Sequence, residues 1–326
     1  MKKLLFRFTQ ILLSVFFVTV VCNFSQATAK QTFKVGVCQL VEHPALDAAN
    51  KGFVEGLKKA GFQDGVNLFI DQQNAQADQS NLANIAHRFV SQNVDLICAI
   101  ATPAAQTMAN ATDEIPIVGT AITDYEAAKL VKNKEKPETN VTGTTDINPV
   151  AEQLDMLLQF VPNLKTVGTI YSSSEINSQL QIEILKKAAA RRGIEVREAT
   201  VSTVNDIQQA ARSLVGKVQG IYVPTDNVIA SSVPTLLSIT DEENLPVVAG
   251  EGSLVEAGCL GSIGIDYYEL GLQTGLMAAD ILNGKAKPQN MAIQGQRNCM
   301  AIINKNALKK FGLTLPKEFK KAKLVG

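Results

Sequence analysis

Apolar positions in this chain follow two alternating rhythms. The run TFKVGVCQL (Thr32–Leu40) is short, apolar and rich in β-branched residues, as a buried strand requires. The next stretch, ALDAANKGFVEGLKKAGF, places Ala45, Ala49, Phe53, Leu57 and Ala60 at helical spacing, and Gly61 stops the helix. The same alternation continues through the strand VNLFIDQQ, the helix NLANIAHRFVSQNV, the strand DLICAIAT, the helix PAAQTMANATDE and the strand IPIVGTAIT. A second round follows. The strand LKTVGTIYSS, the helix INSQLQIEILKKAAARRGI and the strand IEVREATVS lead to the helix VNDIQQAARSLVGKV, the strand QGIYVPTD, the helix ASSVPTLLSITDEEN and the strand LPVVAGEGS. The two rounds share an offset: Gly36 and Gly168 stand 132 residues apart, and so do the helix-stop glycines Gly61 and Gly193. Pro116 and Pro246 are 130 apart.

Strands alternating with helices imply βαβ units, because parallel neighbours need a crossover. The fold class is therefore α/β, with two doubly wound parallel-sheet lobes joined by a multi-strand hinge. Beyond residue 266 the chain offers two more helices (YYELGLQTGLMAADILNGK and NKNALKKFGL) and one strand, CMAIIN, too little for a third domain. This part is expected to cross back and complete both sheets. Residues 30–145 with 266–292 then form the first lobe, and 146–265 with 293–326 the second. The expected crossings are TGTTDINP, SIGIDYYE and QNMAIQGQ. Two lobes joined this way enclose a cleft that can close as a hinge.

Charge and cysteines narrow the setting. MKKLLFRFTQ carries three basic residues and no acid, and an apolar run and ATA follow it, which reads as a signal peptide over 1–29 and an extracytoplasmic protein. A lipid anchor at Cys22 is the less favoured alternative, because TVVC lacks the small residue usual before such a cysteine. Lys plus Arg and Asp plus Glu both number 31, with no basic stripe, so no nucleic acid is expected as a partner. Cys38 and Cys98 lie in apolar runs and read as buried small hydrophobes. Cys259 and Cys299 sit at strand starts and are a candidate disulfide pair. No CxxC or Cys/His cluster suggests a metal, and no cofactor is expected.

In open parallel sheets ligands bind beyond the carboxyl ends of the strands. Six loops fall there: QLVEHPALD with Gln39, Glu42 and His43, ATPAAQ with Thr102, TAITDYE with Thr123 and Asp124, YSSSEINSQ, PTDNVIASS with Asp226 and Asn227, and GEGS with Glu251. They are rich in hydroxyls, with a few acids. Hydroxyls and free N–H groups at a helix N-terminus suit a carboxylate, and acids across a cleft suit an ammonium, so the loops together describe a site for a zwitterion. Each residue taken singly is also an ordinary helix cap. GxSxG, HExxH and P-loop patterns are all missing. His87 falls within a helix and reads as a packing or surface residue. A triad would have to use His43 with a serine from another loop.

The segments QLVEHPALDAANKGFVEGL, IATPAAQTMAN, TGTTDINPVAEQLDML, PTDNVIASSVPTL, EGSLVEAGCLGSIGIDYYELGLQTG and INKNALKKFGLTLP resemble the ABC importer substrate-binding family associated with tryptophan and tyrosine uptake, of type I periplasmic binding protein fold. The resemblance covers nearly all of the chain after the signal. It implies a monomeric receptor that closes around a free amino acid, with an aromatic one expected, and delivers it to a permease and its ATPase without chemistry on the ligand. It also implies roles. Thr102, the N–H groups of Ala104 and Ala105, and Thr123 would hold the carboxylate. Asp226 and Glu251 would meet the ammonium, and Ser173, Ser174 and Asn177 would close over the ligand. Glu42 and His43 would stand at the cleft mouth as part of a gate. A sensor presenting the ligand to a membrane receptor, and a secreted hydrolase using His43, are the alternatives.

Overall fold

The computed structural model describes residues 32–296 and 298–326. The expected signal peptide and the alternative anchor Cys22 lie outside the described residues. The first half forms β1 (Phe33–Gln39), α1 (Pro44–Lys59), β2 (Leu68–Asn74), α2 (Gln79–Ser91), β3 (Leu96–Ile100), α3 (Thr102–Ala111), β4 (Ile117–Ile122) and β5 (Val141–Thr145). The second half runs α4 (Val150–Phe160), β6 (Thr166–Ser172), α5 (Ile176–Ala190), β7 (Glu195–Val201), α6 (Ile207–Leu214), β8 (Gly220–Val223), α7 (Asn227–Ser231), α8 (Val233–Glu242), β9 (Val247–Ala249), α9 (Gly252–Glu256) and β10 (Gly261–Gly264). The chain closes with α10 (Tyr267–Leu282), β11 (Gln294–Gly295), β12 (Met300–Asn304), α11 (Lys305–Lys310) and β13 (Lys323–Val325).

Two sheets result, in the orders β11-β5-β4-β3-β1-β2 and β13-β12-β10-β9-β8-β6-β7. All neighbours are parallel except β10 and β12, which run antiparallel. The chain passes between the sheets after β5, after β10 and after β11; the first two passages fall within TGTTDINP and SIGIDYYE, and the third begins only at the end of QNMAIQGQ. Because β11 pairs with β5, residues 294–295 extend the first sheet.

The central strands β1, β3 and β4 are buried almost end to end, as a sheet covered on both faces demands. The helices α1 and α10 cover the same face of the first sheet and approach closely through Gly52, Gly56, Gly271 and Gly275. A Cβ at Gly271 would collide with the Ala49 carbonyl, and one at Gly52 with the Tyr268 carbonyl. Gly61 and Gly193, at one offset in sequence, also match in conformation, with φ of +93° and +67°. Both end a helix in the left-handed region that glycine adopts without strain.

Several elements depart from the sequence expectation. β5 and β10 overlap stretches read only as crossings, α4 carries no expectation, and α9 begins inside the stretch LPVVAGEGS expected as a strand. The helix expected over 230–244 is broken at Ser232 into α7 and α8. Pro234 lies in the first turn of α8, where its missing N–H is tolerated, whereas inside a continuous helix its ring would clash with the preceding turn. Cys259 is buried and Cys299 exposed, and both are free, so the candidate disulfide is not formed. Cys38 and Cys98 are fully buried, and burial pushes both thiols well up.

Candidate functional site

A narrow cavity lies where the carboxyl ends of both sheets meet, with free space of about 10 Å³, roughly the room for one water molecule. The first sheet contributes His43, Ala45 and Leu46 from the start of α1, and Ala121 and Thr123 from the end of β4. The second contributes Asn177, Thr225, Asp226, Asn227, Ala230 and Glu251. Two residues of the crossings complete it: Asp146 after β5, and Tyr267 at the start of α10.

Local backbone features aim these groups. Pro44 starts α1 and leaves His43 as its N-cap in extended conformation, with no side-chain cap on the first turn. The N–H groups of Ala45 and Leu46 belong to that first turn, whose donors have no intrahelical acceptor. At the end of β4 the pairing with β5 shifts register, and Ala121 takes φ +55°. Such a bulge turns the strand end and presents Ala121 and Thr123 to the cavity.

Two hydrogen-bonded sets line the space. In the first, Asp146 accepts from the Thr123 hydroxyl at 2.9 Å and from the Tyr267 hydroxyl at 2.8 Å. Glu251 lines the same cavity. One of its oxygens accepts from Ser253 at 2.8 Å, while Oε2 has no donor. Burial raises the Asp146 carboxyl against those two hydroxyl donors. Burial also pushes Glu251 up to about 7, with the Ser253 hydroxyl opposing and the Asp146 charge adding to the rise.

In the second set, Glu175 caps α5 and accepts N–H groups from Asn227, Val228 and Asn177, the last at 3.0 Å. Burial and then the Asp226 charge push Glu175 up to about 8. His43 reaches across the cleft to Asn227 Oδ1 at 3.2 Å, and its Nδ1 is buried without a partner. Burial lowers the imidazole, and contact with Asn227 and the Asp47 charge only partly offset this. Between the sets, Thr123 and Thr225 meet across the cleft at 3.4 Å, and Gln181 donates to the Thr225 hydroxyl.

Of the residues singled out in the sequence, the structure gathers His43, Thr123, Asn177, Asp226, Asn227 and Glu251 around this cavity. Asp226 is occupied within its own lobe by the Ser172 N–H, the Ser178 hydroxyl and the Ile229 N–H. The others stand elsewhere. Thr102, Ala104 and Ala105 are buried in the first core and do not line the cavity, because the start of α3 packs behind the strand ends. Gln39 turns aside to Asp47 and Asn50. Asp124 is drawn out to Lys134 at 2.7 Å; burial would raise its carboxyl, yet that contact and the Ala127 and Glu126 N–H groups hold it below the usual value. Glu42 and Ser173 are exposed, and Ser174 lines a wider groove at the cleft mouth. His43 pairs with Asn227 and not with a serine hydroxyl. His87 is exposed on α2. Sequence reasoning missed Asp146, Tyr267, Thr225, Ala121, Ala45 and Leu46. Asp146 and Tyr267 lie inside TGTTDINP and SIGIDYYE, and a crossing must form the floor of a cleft, which is the signal that was available.

Residues 34–323 match the family model described as ABC transporter substrate binding protein. A tyrosine-binding protein of Clostridioides difficile is 43% identical over 281 residues, 86% of this chain and 81% of that protein. The crystal structure of a Streptococcus pneumonia ABC domain in complex with L-Trp is 39% identical, with TM-score 0.88 over 91% of this chain and 100% of that one. The ligand-free, open structure of a Clostridium difficile substrate-binding protein is nearer in sequence at 46%, yet its TM-score is 0.69 over 90% of this chain and 99% of that one. Fold, matched length and relatives agree: the chain belongs to the ABC transporter substrate-binding protein family.

Proposed function

We propose that the protein is an extracytoplasmic receptor that closes around one free aromatic amino acid and hands it to an ABC permease and its ATPase. The observation that carries this reading is the pattern of unpaired atoms. Three buried atoms of residues lining one cavity, Glu251 Oε2, His43 Nδ1 and Asn177 Oδ1, have no hydrogen-bond partner among the described residues. Burying acceptors unpaired is costly, so the cavity suits a ligand that brings several donors. An ammonium would be received by Asp146 and Glu251, whose buried carboxyls pair with no cation among the described residues. The first-turn N–H groups of α1 at Ala45 and Leu46 suit the carboxylate, since the helix dipole favours an anion there. Tyr267 and the small residues Ala121 and Ala230 would line the ligand side chain once the lobes part to admit it.

The relatives support an aromatic ligand, since one is named for tyrosine and another holds L-Trp. The crossings after β5, after β10 and after β11 would act as the hinge between two lobes, each built around one sheet, with the receptor working as a monomer. A thermal-shift screen of the protein amino acids tests this. Ligand at 100-fold over Kd stabilises the folded state by about 2.7 kcal/mol, so tyrosine, tryptophan or both should raise the Tm by several degrees. If no amino acid moves the transition, the reading is wrong.

A further inference from the structure

We propose that the last segment of the chain, from α11 to β13, is a basic surface that holds the protein reversibly against a bilayer carrying anionic phospholipid headgroups. The inference goes beyond the receptor reading and rests on it only for the extracytoplasmic setting, in which a membrane is the surface at hand.

The balance of charge over the whole chain hides one exception to the absence of a basic stripe. Residues 305–323 hold seven lysines and one acid, Glu318, which leaves 24 basic and 30 acidic residues elsewhere. Folding sorts this segment by polarity. Ala307 and Leu308 are buried, and Phe311, Leu313, Leu315 and Phe319 pack against the same core of the second sheet. Phe319 stacks on Phe160 of α4 with ring centroids 6.1 Å apart, and β13 pairs with β12, Lys323 beside Ile302. The segment is thereby fixed to the body of the protein. With its apolar positions turned in, all seven lysines are exposed.

Ion pairing decides how much of that charge stays uncompensated. Lys310 pairs with Asp241, and Lys323 with Glu256. Lys305, Lys309, Lys317, Lys320 and Lys321 pair with no acid among the described residues, and every acid of the chain lies among those residues. Protein surfaces ordinarily intersperse the two signs, so five lysines left over on one short segment fit an anionic partner. Compact ammonium groups on flexible stems suit the phosphate layer of a bilayer, which attracts polybasic segments. Leu324, 45% exposed on the outermost strand of its sheet, sets an apolar side chain beside them, as an interfacial surface does. Nucleic-acid grooves instead add aromatics on which bases stack, and both aromatics of this segment, Phe311 and Phe319, are committed to the core.

The surface also lies where contact does not obstruct binding. β12 runs antiparallel to β10 with Ile303 beside Gly261, so α11 leaves the sheet at the end opposite the cavity. Lipid held there leaves the cleft open to solvent. Exposed charges are screened over about 8 Å at physiological ionic strength, which keeps the hold weak and reversible.

The test is cosedimentation of the chain without its expected signal peptide with vesicles of phosphatidylcholine, alone or with one-third phosphatidylglycerol, at about 0.05 M and about 0.5 M NaCl. The variant combines Lys305→Gln, Lys309→Gln, Lys317→Gln, Lys320→Gln and Lys321→Gln. Each lysine close to an anionic surface strengthens partitioning about fivefold, so the wild type should bind the phosphatidylglycerol vesicles at low salt and the variant at least ~100-fold less. The wild type should leave those vesicles at high salt and ignore phosphatidylcholine alone. Equal binding to both vesicle types, binding that survives high salt, no binding at all, or undiminished binding of the variant overturns the inference. Retention of the wild type by duplex DNA but not by the vesicles overturns it too. Should the variant not fold, the lipid and salt comparisons on the wild type decide. Calorimetric titration with L-tyrosine keeps the two readings apart: its affinity should be the same in wild type and variant, and its failure to bind the wild type removes the receptor reading without touching the vesicle result.

Discussion

Replacing Glu251 by Gln should move stability and affinity in opposite directions. The Glu251 side chain is 3% exposed, one oxygen has no donor, and the carboxyl is raised from 4.5 to about 7, chiefly by burial. A rise of that size corresponds to at most roughly 3 kcal/mol of cost for holding the charge in the ligand-free closed protein. The sign follows from linkage. The folded state binds the proton more tightly than the unfolded chain, so stability is greatest below the unfolded value and falls as pH rises from about 4.5 through about 7. Gln carries no charge, so the ligand-free variant should melt at the wild-type temperature or above it at pH 8, and its Tm should fall less between pH 5 and 8. The complex behaves otherwise. A charge-assisted hydrogen bond to the ligand ammonium is worth about 1.5–3 kcal/mol, so the variant should bind tyrosine or tryptophan roughly 10- to 150-fold more weakly. Melting curves across pH and calorimetric titration measure both. Affinity within about threefold of wild type, or a destabilised ligand-free variant, would refute the assignment of Glu251 to the ammonium.

Three further outcomes are expected. Tyr267→Phe removes the hydroxyl that Asp146 accepts at 2.8 Å and should cost about 1–3 kcal/mol in urea unfolding, together with a loss of affinity; an unchanged unfolding midpoint would show that this contact does not hold the crossings together. Gly271→Ala drives a methyl into the Ala49 carbonyl where α1 meets α10, and overpacking of that kind costs about 1–3 kcal/mol, read as a lowered urea midpoint. Among Cys38, Cys98, Cys259 and Cys299, a thiol reagent should modify only Cys299 in the native protein and all four after denaturation; a native count of zero from these four would point to a bond that the structure does not contain.

The architecture was largely legible because its signals are local. Strand runs such as VGVCQL and helix faces such as Ala45, Ala49, Phe53 and Leu57 announce themselves through periodicity, and Gly61 and Gly193 mark the same turn in each half. β5 and β10 escaped notice because VTGTT and GSIG are short and mix hydroxyls and glycine with few apolar residues. Their strand character comes from central positions in their sheets, next to β4 and β9. The site was half legible for a related reason. Loops at strand ends can be found from the pattern, which brought His43, Thr123, Asn177 and Glu251 forward. Whether a loop faces the cavity depends on backbone turns that leave little trace in composition. The shift after Gly119 carries Thr123 inward, whereas Asp124, one residue later, is drawn out to Lys134. Thr102 opens α3, and its hydroxyl is buried without a partner among the described residues.

The central claim is that two buried carboxyls, Asp146 at a crossing and Glu251 after β9, receive the ammonium of a free aromatic amino acid. Calorimetric comparison of L-tyrosine with its deamino analogue, 3-(4-hydroxyphenyl)propanoate, tests it most directly, because the two differ only in that group. One-to-one binding of tyrosine and no measurable binding of the analogue is the predicted result. Equal affinity for the two would contradict it.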